Sequence, residues 1–152
     1  MSDFARSIVV AGAITLSSIT AAIAAPKDQS CEFVKAILTN DSKFQTKALK
    51  KLVGHWSAGS ISNIQKNFSG SVNSMKFAGG KIFETANLGG DMVEHFILLR
   101  RAKGGLSYIR LQYIWFPSGN RVEYLSMENN YPTIMRFPFA QPPQKVSCGF
   151  WK

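Results

Sequence analysis

Four segments rich in β-branched and aromatic residues follow one another in the second half of the chain, and this succession constrains the fold most strongly. The predicted strands span residues 81–88, 92–101, 106–116 and 121–128. The turns between them contain Gly89-Gly90, Gly104-Gly105 and Ser118-Gly119. Because parallel neighbours need a crossover of a dozen or more residues, such short turns predict an antiparallel meander.

The last two strands allow a register to be predicted. A turn at residues 117–120 gives the cross-strand pairs Phe116 with Arg121, Trp115 with Val122, Tyr113 with Tyr124, and Leu111 with Ser126. Because side chains alternate between the two faces of a strand, all but the first of these pairs are predicted on the face that meets the helices.

Helices are predicted before the strands. Residues 28–32 cap the first helix, whose apolar face consists of Phe33, Val34, Ile37 and Leu38. Ser42 starts the second helix in a capping box with Gln45, and Gly54 ends it. Its apolar stripe is predicted to consist of Phe44, Ala48, Leu49, Leu52 and Val53. Residues 57–80 predict a short helix or an irregular strand.

The start of the chain is typical of a bacterial secretory signal. Arg6 precedes an uncharged apolar stretch, residues 8–23, and small residues follow it up to Ala24 and Ala25. About 16 apolar residues are short for a membrane span, which needs roughly 20. We therefore predict a signal peptide at residues 1–25, cleavage near Ala24 or Ala25, and a periplasmic or secreted protein.

The remaining residues, 26–152, have the length of one domain. The whole chain has 18 Lys and Arg and 9 Asp and Glu, so its formal net charge is 18 − 9 = +9. The signal holds one charge of each sign, Arg6 and Asp3, so the exported part keeps the same net charge. Such a charge suggests an anionic envelope component as a partner, although it is also a common route to solubility.

The chain has two cysteines, Cys31 and Cys148, at the two ends of the predicted domain. In an oxidising compartment an even pair predicts a disulfide, and we expect Cys31 to bond Cys148. The alternative is two unrelated buried thiols. Between residue 128 and Cys148, prolines and aromatic residues predict an extended tail that crosses the domain.

Helices followed by a curved antiparallel sheet of four or more strands define an α+β class. In element order and in the long hairpin at residues 106–128, the chain from residue 31 to 131 resembles the NTF2-like and cystatin-like superfamilies. The resemblance implies a cone-shaped sheet around a helix, with a pocket at its open end. In some members of such families that pocket is catalytic, and in many it is a binding or assembly surface.

No nucleophile elbow, P-loop, dinucleotide fingerprint or zinc-ligand spacing is present in the sequence, so neither a cofactor nor a metal is predicted. The candidate catalytic residues are Asp91, His95 and Tyr108, with Asp91 or His95 as general base for proton transfer or hydration of a small apolar substrate. The substrate pocket would be lined by Tyr108, Tyr113, Trp115 and Tyr124. The alternative is that these aromatic residues fill the core and that His95 is half-buried and satisfied by a backbone carbonyl or a cross-strand tyrosine.

Binding requires less special geometry than catalysis. The candidate ligand-binding residues are Arg100, Arg101, Lys103, Tyr113 and Tyr124. The second helix carries a second basic feature, which consists of Lys43, Lys47, Lys50 and Lys51. Two interpretations are open: a solvated face of the helix, or a helix that docks on an anionic surface. The export signal argues against nucleic acid as a partner.

The sequence therefore predicts an exported, basic binding or envelope-accessory domain, whose ligand is anionic or apolar or is another protein. A pocket enzyme is the alternative function.

Overall fold

The computed structural model describes residues 24–135 and 138–150. Three helices precede the strands, and a π-helical turn extends the third. The elements are α1 (Pro26–Leu38), α2 (Ser42–Val53), α3 (Ala58–Phe68), the π-helical turn (Ser69–Asn73), β1 (Phe77–Leu88), β2 (Met92–Arg101), β3 (Leu106–Phe116), β4 (Gly119–Glu128), α4 (Tyr131–Ile134) and β5 (Gln144–Val146). The predicted signal lies outside the described residues except for Ala24 and Ala25.

The strands form one curved, open, five-stranded sheet in the order β4-β3-β2-β1-β5. Every neighbouring pair is antiparallel, and the short turns predict this for β1 to β4. The glycines at 89, 90, 104 and 105 all have positive φ angles, between 61° and 94°, which explains why glycine occupies these turns. The predicted α+β class is confirmed.

The predicted register of β3 and β4 is wrong. The turn has only two residues between the strands, so Phe116 pairs with Gly119 and Tyr113 pairs with Val122. A β-bulge at Glu123 then shifts the register, and Tyr124 pairs with Gln112. Because a one-residue shift exchanges the faces of a strand, Tyr124 lies on the face away from the helices.

The helices cover one face of the sheet and form the main core with it. On the strand side this core includes Ile82, Ile97, Ile109 and Leu111, and its helical part consists of Phe33, Val34, Ile37, Leu49, Leu52, Val53, Ile64, Phe68 and Val72. The segment after β4 covers part of the opposite face. There Phe96, Tyr108 and Ile134 are buried, with Phe139 packed against them.

The predicted N-terminal caps of α1 and α2 are wrong, although α2 begins at Ser42 as predicted. The N-cap of α1 is Ala25, with Pro26 in the first turn, where its missing N–H is not needed. Asp41, not Ser42, caps α2, and its carboxylate accepts hydrogen bonds from the backbone N–H groups of Lys43 and Phe44. Gly54 ends α2, as predicted.

The predicted apolar stripe of α2 is wrong at one position. Phe44 is 60% exposed, whereas Gln45 is buried and donates a hydrogen bond to the Ile37 carbonyl. The buried face of α2 is therefore rotated relative to the one that hydrophobicity alone predicts. Leu49, Leu52 and Val53 lie in the core as expected.

A disulfide joins Cys31 on α1 to Cys148, with 5.7 Å between the Cα atoms. This prediction is confirmed. The chain between β4 and Cys148 first crosses the outer face of the sheet, then pairs with β1 as the short edge strand β5. The disulfide therefore fastens the end of a segment that wraps from one face of the sheet to the other.

Candidate functional site

Among the described helices, α2 carries the densest group of positive charges, and they lie on its exposed side. Lys43, Lys47 and Lys50 follow one another at spacings of four and three residues, which places them along one side of the helix. All three are exposed. Leu49, Leu52 and Val53 hold this side outward because they anchor the other side of the helix in the core.

The three lysines line an open groove of about 510 Å³, which we call the α2 groove. Its other lining residues are Ser42, Thr46 and Asn73, so no acidic residue contributes to it. Asn73 comes from the π-helical turn and donates a hydrogen bond of 3.1 Å to the Thr46 hydroxyl. The second amide atom of Asn73, Oδ1, is buried without a partner among the described residues.

The lysines of α2 differ in their pairing. Lys51 makes an exposed ion pair of 2.6 Å with Glu32 on α1. Within the described part of the chain, no carboxylate lies within 4.0 Å of Lys43, Lys47 or Lys50. Like charges that are left close together without a counter-ion favour the binding of an anion.

Arg100, Arg101 and Lys103 lie at the β2–β3 turn, as predicted. A groove of about 400 Å³ there includes both arginines but not Lys103. The Arg101 guanidinium lies against Gly105, where a Cβ atom would overlap it. Arg101 is thus partly used in packing, and the turn presents a weaker cluster than α2.

A hydrogen-bonded cluster of three residues is buried between α1 and the sheet. The Ser30 hydroxyl lies 2.7 Å from His95 Nδ1 and 2.7 Å from the Tyr113 hydroxyl. All three residues are at most 1% exposed. Burial lowers the pKa of His95 from 6.5 to about 4, so the imidazole is neutral at pH 7. Burial likewise raises the pKa of Tyr113, against the opposing effect of the Ser30 hydrogen bond.

Glu84 lies on the other side of the His95 ring from Ser30. One of its carboxylate oxygens lies 3.9 Å from His95 Nε2. This separation is too long for a hydrogen bond, so it leaves both tautomers of the neutral imidazole open. With the proton on Nε2, Nδ1 accepts from Ser30 and Ser30 accepts from Tyr113; with the proton on Nδ1, Ser30 accepts from His95. His95 and Glu84 also line an open groove of about 460 Å³ between the start of α1 and β5.

The predicted catalytic residues do not come together. Asp91 is exposed in the β1–β2 turn, whereas His95 is buried in the middle of β2. Tyr108 lies on the opposite face of the sheet, where its ring packs against Phe96 and Tyr131. His95 is satisfied by a neighbouring side chain, but its hydrogen-bond partner is Ser30 on α1 and not the backbone carbonyl or cross-strand tyrosine that the sequence suggested. Tyr113 makes only a ring contact with His95, with 5.4 Å between the ring centroids.

The predicted aromatic pocket is also wrong. Tyr113 is completely buried on the helix side, and Tyr108 is buried on the other face. Trp115 and Tyr124 are 53% and 42% exposed. Tyr113 is thus inaccessible to a surface ligand, and Tyr124 lies on the edge strand β4, away from the β2–β3 turn.

Polar residues of the α2 groove were missed at the sequence level. The spacing of Lys43, Lys47 and Lys50 was a sufficient signal for their common stripe. Asn73 carries no such signal, because it reaches α2 from a turn 27 residues away from its partner Thr46. Ser30 was likewise missed, since 65 residues separate it from His95.

No family model, curated protein or solved structure matches this chain. Within the described ranges, no three His, Cys, Asp or Glu side chains are grouped to hold a metal ion. None of the described helices is long and apolar enough to cross a membrane.

Proposed function

We propose that this protein is an exported binding domain that holds an anionic ligand in the α2 groove. The main support is the grouping of Lys43, Lys47 and Lys50 around hydroxyl and amide groups, without a carboxylate in the lining. Lysine ammonium groups attract phosphate, sulfate or carboxylate, and Ser42 and Thr46 offer hydrogen-bond donors to the same oxygens. The groove is open, which suits a ligand that forms part of a larger surface or polymer.

Export is part of the proposal. The signal-like sequence before Ala25 supports it, and so does the disulfide, since such bonds persist mainly in oxidising compartments. We also propose the NTF2-like or cystatin-like arrangement as the finer class of this α+β fold. Its support is the order of helices before the sheet and the long β3–β4 hairpin.

The binding test uses polyphosphate as a soluble anionic probe and isothermal titration calorimetry as the measurement. In the variant Lys43→Gln, Lys47→Gln, Lys50→Gln, we expect the affinity to fall at least about tenfold, because each exposed charge contributes roughly 0.5 to 1 kcal/mol. The affinity of the unaltered protein should fall as the salt concentration rises, because the charges are exposed.

A matched control variant carries Lys81→Gln, Arg100→Gln and Lys103→Gln. It removes the same number of exposed positive charges, but from outside the α2 groove. We expect its affinity to stay within about twofold of the unaltered protein. An equal loss in both variants would show that the net charge, and not the groove, binds the probe.

A second candidate function is proton transfer on a small ligand in the groove beside His95. The position of Glu84 supports this candidate. One oxygen of its carboxylate lies 3.9 Å from His95 Nε2, and the other accepts a hydrogen bond of 3.1 Å from the Asn87 side chain. The Glu84 side chain is also partly exposed. In this candidate Glu84 is the base and His95 positions it.

NMR screening of small carbonyl compounds tests the candidate. A ligand must shift the His95 and Asn87 side-chain signals and lose affinity in Glu84→Gln, and if no compound does so the candidate fails.

A further inference from the structure

Phe44 shares the exposed side of α2 with the lysines. At about 100° per residue, Lys50, Lys43, Lys47, Lys51 and Phe44 fall within an arc of about 120°. The buried residues Leu49, Leu52 and Val53 occupy the opposite side. α2 thus presents an aromatic ring beside a row of cations, although the helix belongs to a folded domain.

The acidic residues nearest to this side of α2 are already engaged. Glu32 pairs with Lys51, and the Asp41 carboxylate caps the helix by accepting from two backbone N–H groups. Neither shields Lys43, Lys47 or Lys50 by an ion pair. The charge next to Phe44 is therefore positive, and it suits an anionic surface.

We infer that the anionic partner of the α2 groove is the surface of a lipid bilayer, and this inference rests on the proposed function. Lys43, Lys47 and Lys50 bind lipid phosphates, while the Phe44 ring enters the boundary between headgroups and acyl chains. Basic residues beside an exposed aromatic residue are the combination by which amphipathic helices bind at such interfaces. α2 lies on the membrane through its outer side and stays packed in the domain through its inner side.

The exposure of Phe44 distinguishes a bilayer from a soluble polyanion. A chain of phosphates or sulfates provides no apolar phase, so it would leave a ring that is 60% exposed in water. Leu88 is equally exposed at 60%, but its neighbours at 89–91 are two glycines and an aspartate. Charge complementarity to an anionic bilayer is thus found at Phe44 and not at Leu88.

The test compares two probes on the purified full chain, whose N-terminus is read by intact mass. The first probe is vesicles of phosphatidylglycerol and phosphatidylcholine, with pure phosphatidylcholine vesicles as the neutral reference, and the second is polyphosphate. In Phe44→Ala we expect vesicle partitioning to fall roughly tenfold, because the buried apolar area of the ring is lost, while polyphosphate affinity changes by less than about twofold. Phe44→Trp should retain vesicle binding.

Leu88→Ala is the matched control, because it removes an equally exposed apolar side chain away from the lysines. We expect no change in its vesicle partitioning. Lys43→Gln, Lys47→Gln, Lys50→Gln should lose binding to both probes. Both Phe44 and the lysines are exposed, so thermal unfolding should show that these variants remain folded.

The outcomes separate the two proposals. Binding to polyphosphate without binding to anionic vesicles would overturn the bilayer inference and leave the anionic groove standing. Binding to neither probe would overturn both. Equal vesicle binding by Phe44→Ala and the unaltered protein, or an equal loss in Leu88→Ala, would remove Phe44 as the anchor and overturn the inference.

Discussion

The two faces of the sheet each bury a hydrogen-bonded polar cluster, and the clusters differ in charge. On the helix side, Ser30, His95 and Tyr113 form a neutral chain of hydroxyl and imidazole groups. On the other side, Glu94 and Arg110 form an ion pair with contacts of 2.8 and 2.9 Å. The neutral cluster lies between α1 and the sheet, whereas the charged one lies beneath the short segment that contains α4 and Phe139.

The charged cluster is held by more partners. Thr85 and Gln112 each donate a 2.7 Å hydrogen bond to the Glu94 carboxylate, and Phe139 lies over the Arg110 guanidinium. Burial by itself raises the pKa of Glu94, but the hydrogen bonds from Arg110, Gln112 and Thr85 and the charge of Arg110 hold it below 4.5. A buried charge needs this complete pairing, whereas a neutral hydroxyl is satisfied by one or two neighbours.

The largest expected effect comes from breaking the charged cluster on one side only. Arg110→Met leaves the Glu94 carboxylate buried without its counter-ion, so we expect the free energy of unfolding to fall by about 3 to 5 kcal/mol. Urea denaturation at pH 7 measures this loss. The double variant Glu94→Leu, Arg110→Met should recover most of the stability, because it removes both charges. A double variant that is no more stable than Arg110→Met would contradict this account.

The neutral cluster should make stability sensitive to mild acid. The pKa of His95 is about 4 in the folded protein and 6.5 as a free side chain, so below pH 6.5 the unfolded chain binds a proton that the folded protein does not. Stability is therefore expected to fall by roughly 3 kcal/mol as the pH drops from 6.5 to 4. His95→Gln cannot titrate, and its urea midpoint should lose correspondingly less over the same range. Parallel pH profiles of the two proteins would refute the assignment to His95.

The smallest expected effect tests the end of the neutral chain. Tyr113→Phe removes the hydroxyl that hydrogen-bonds to Ser30 and leaves the Ser30–His95 hydrogen bond in place, so we expect a loss of about 1 kcal/mol in the free energy of unfolding. Tyr124→Phe is the control, because its ring is 42% exposed and it should leave the stability unchanged. If Tyr113→Phe lost as much stability as is expected for Arg110→Met, the two clusters would not differ as described.

The strands and their antiparallel order were predictable because their signals are local. Gly89-Gly90 and Gly104-Gly105 mark turns that need positive φ angles, and the apolar residues between them have the spacing of strands. Only the start of β1, at Phe77 rather than residue 81, extends well beyond the prediction. The disulfide was predictable from the presence of two cysteines and from the expectation that the protein is exported.

The register of β4 was not predictable, because a bulge depends on the neighbouring structure and not on residue type alone. On this strand, Trp56 donates a hydrogen bond of 2.6 Å to the Val122 carbonyl, and His55 lies 3.3 Å from the Glu123 carboxylate. Both contacts come from the segment after α2. The sequence of β4 by itself therefore could not place Tyr124.

The candidate site was predictable in part. The lysine spacing on α2 indicated a basic stripe, but the position of Phe44 depended on Gln45, a polar residue that the core accepts because it donates to the Ile37 carbonyl. Asn73 lies beside the lysines of α2 because α3 and its π-helical turn pack against α2. Contacts of this kind join residues that are distant in sequence, and residue type does not reveal them.

By itself, the sequence determined the α+β class, the antiparallel order of the main strands, the turns at Gly89-Gly90 and Gly104-Gly105, and the pairing of Cys31 with Cys148. These features follow from local backbone preferences and from the chemistry of a single residue pair. The tertiary structure alone decided which side of α2 faces outward, which polar groups are buried together, and that His95 pairs with Ser30 rather than with Asp91. These contacts join residues that are distant in the sequence. They depend on which surfaces of the folded chain pack together and exclude water.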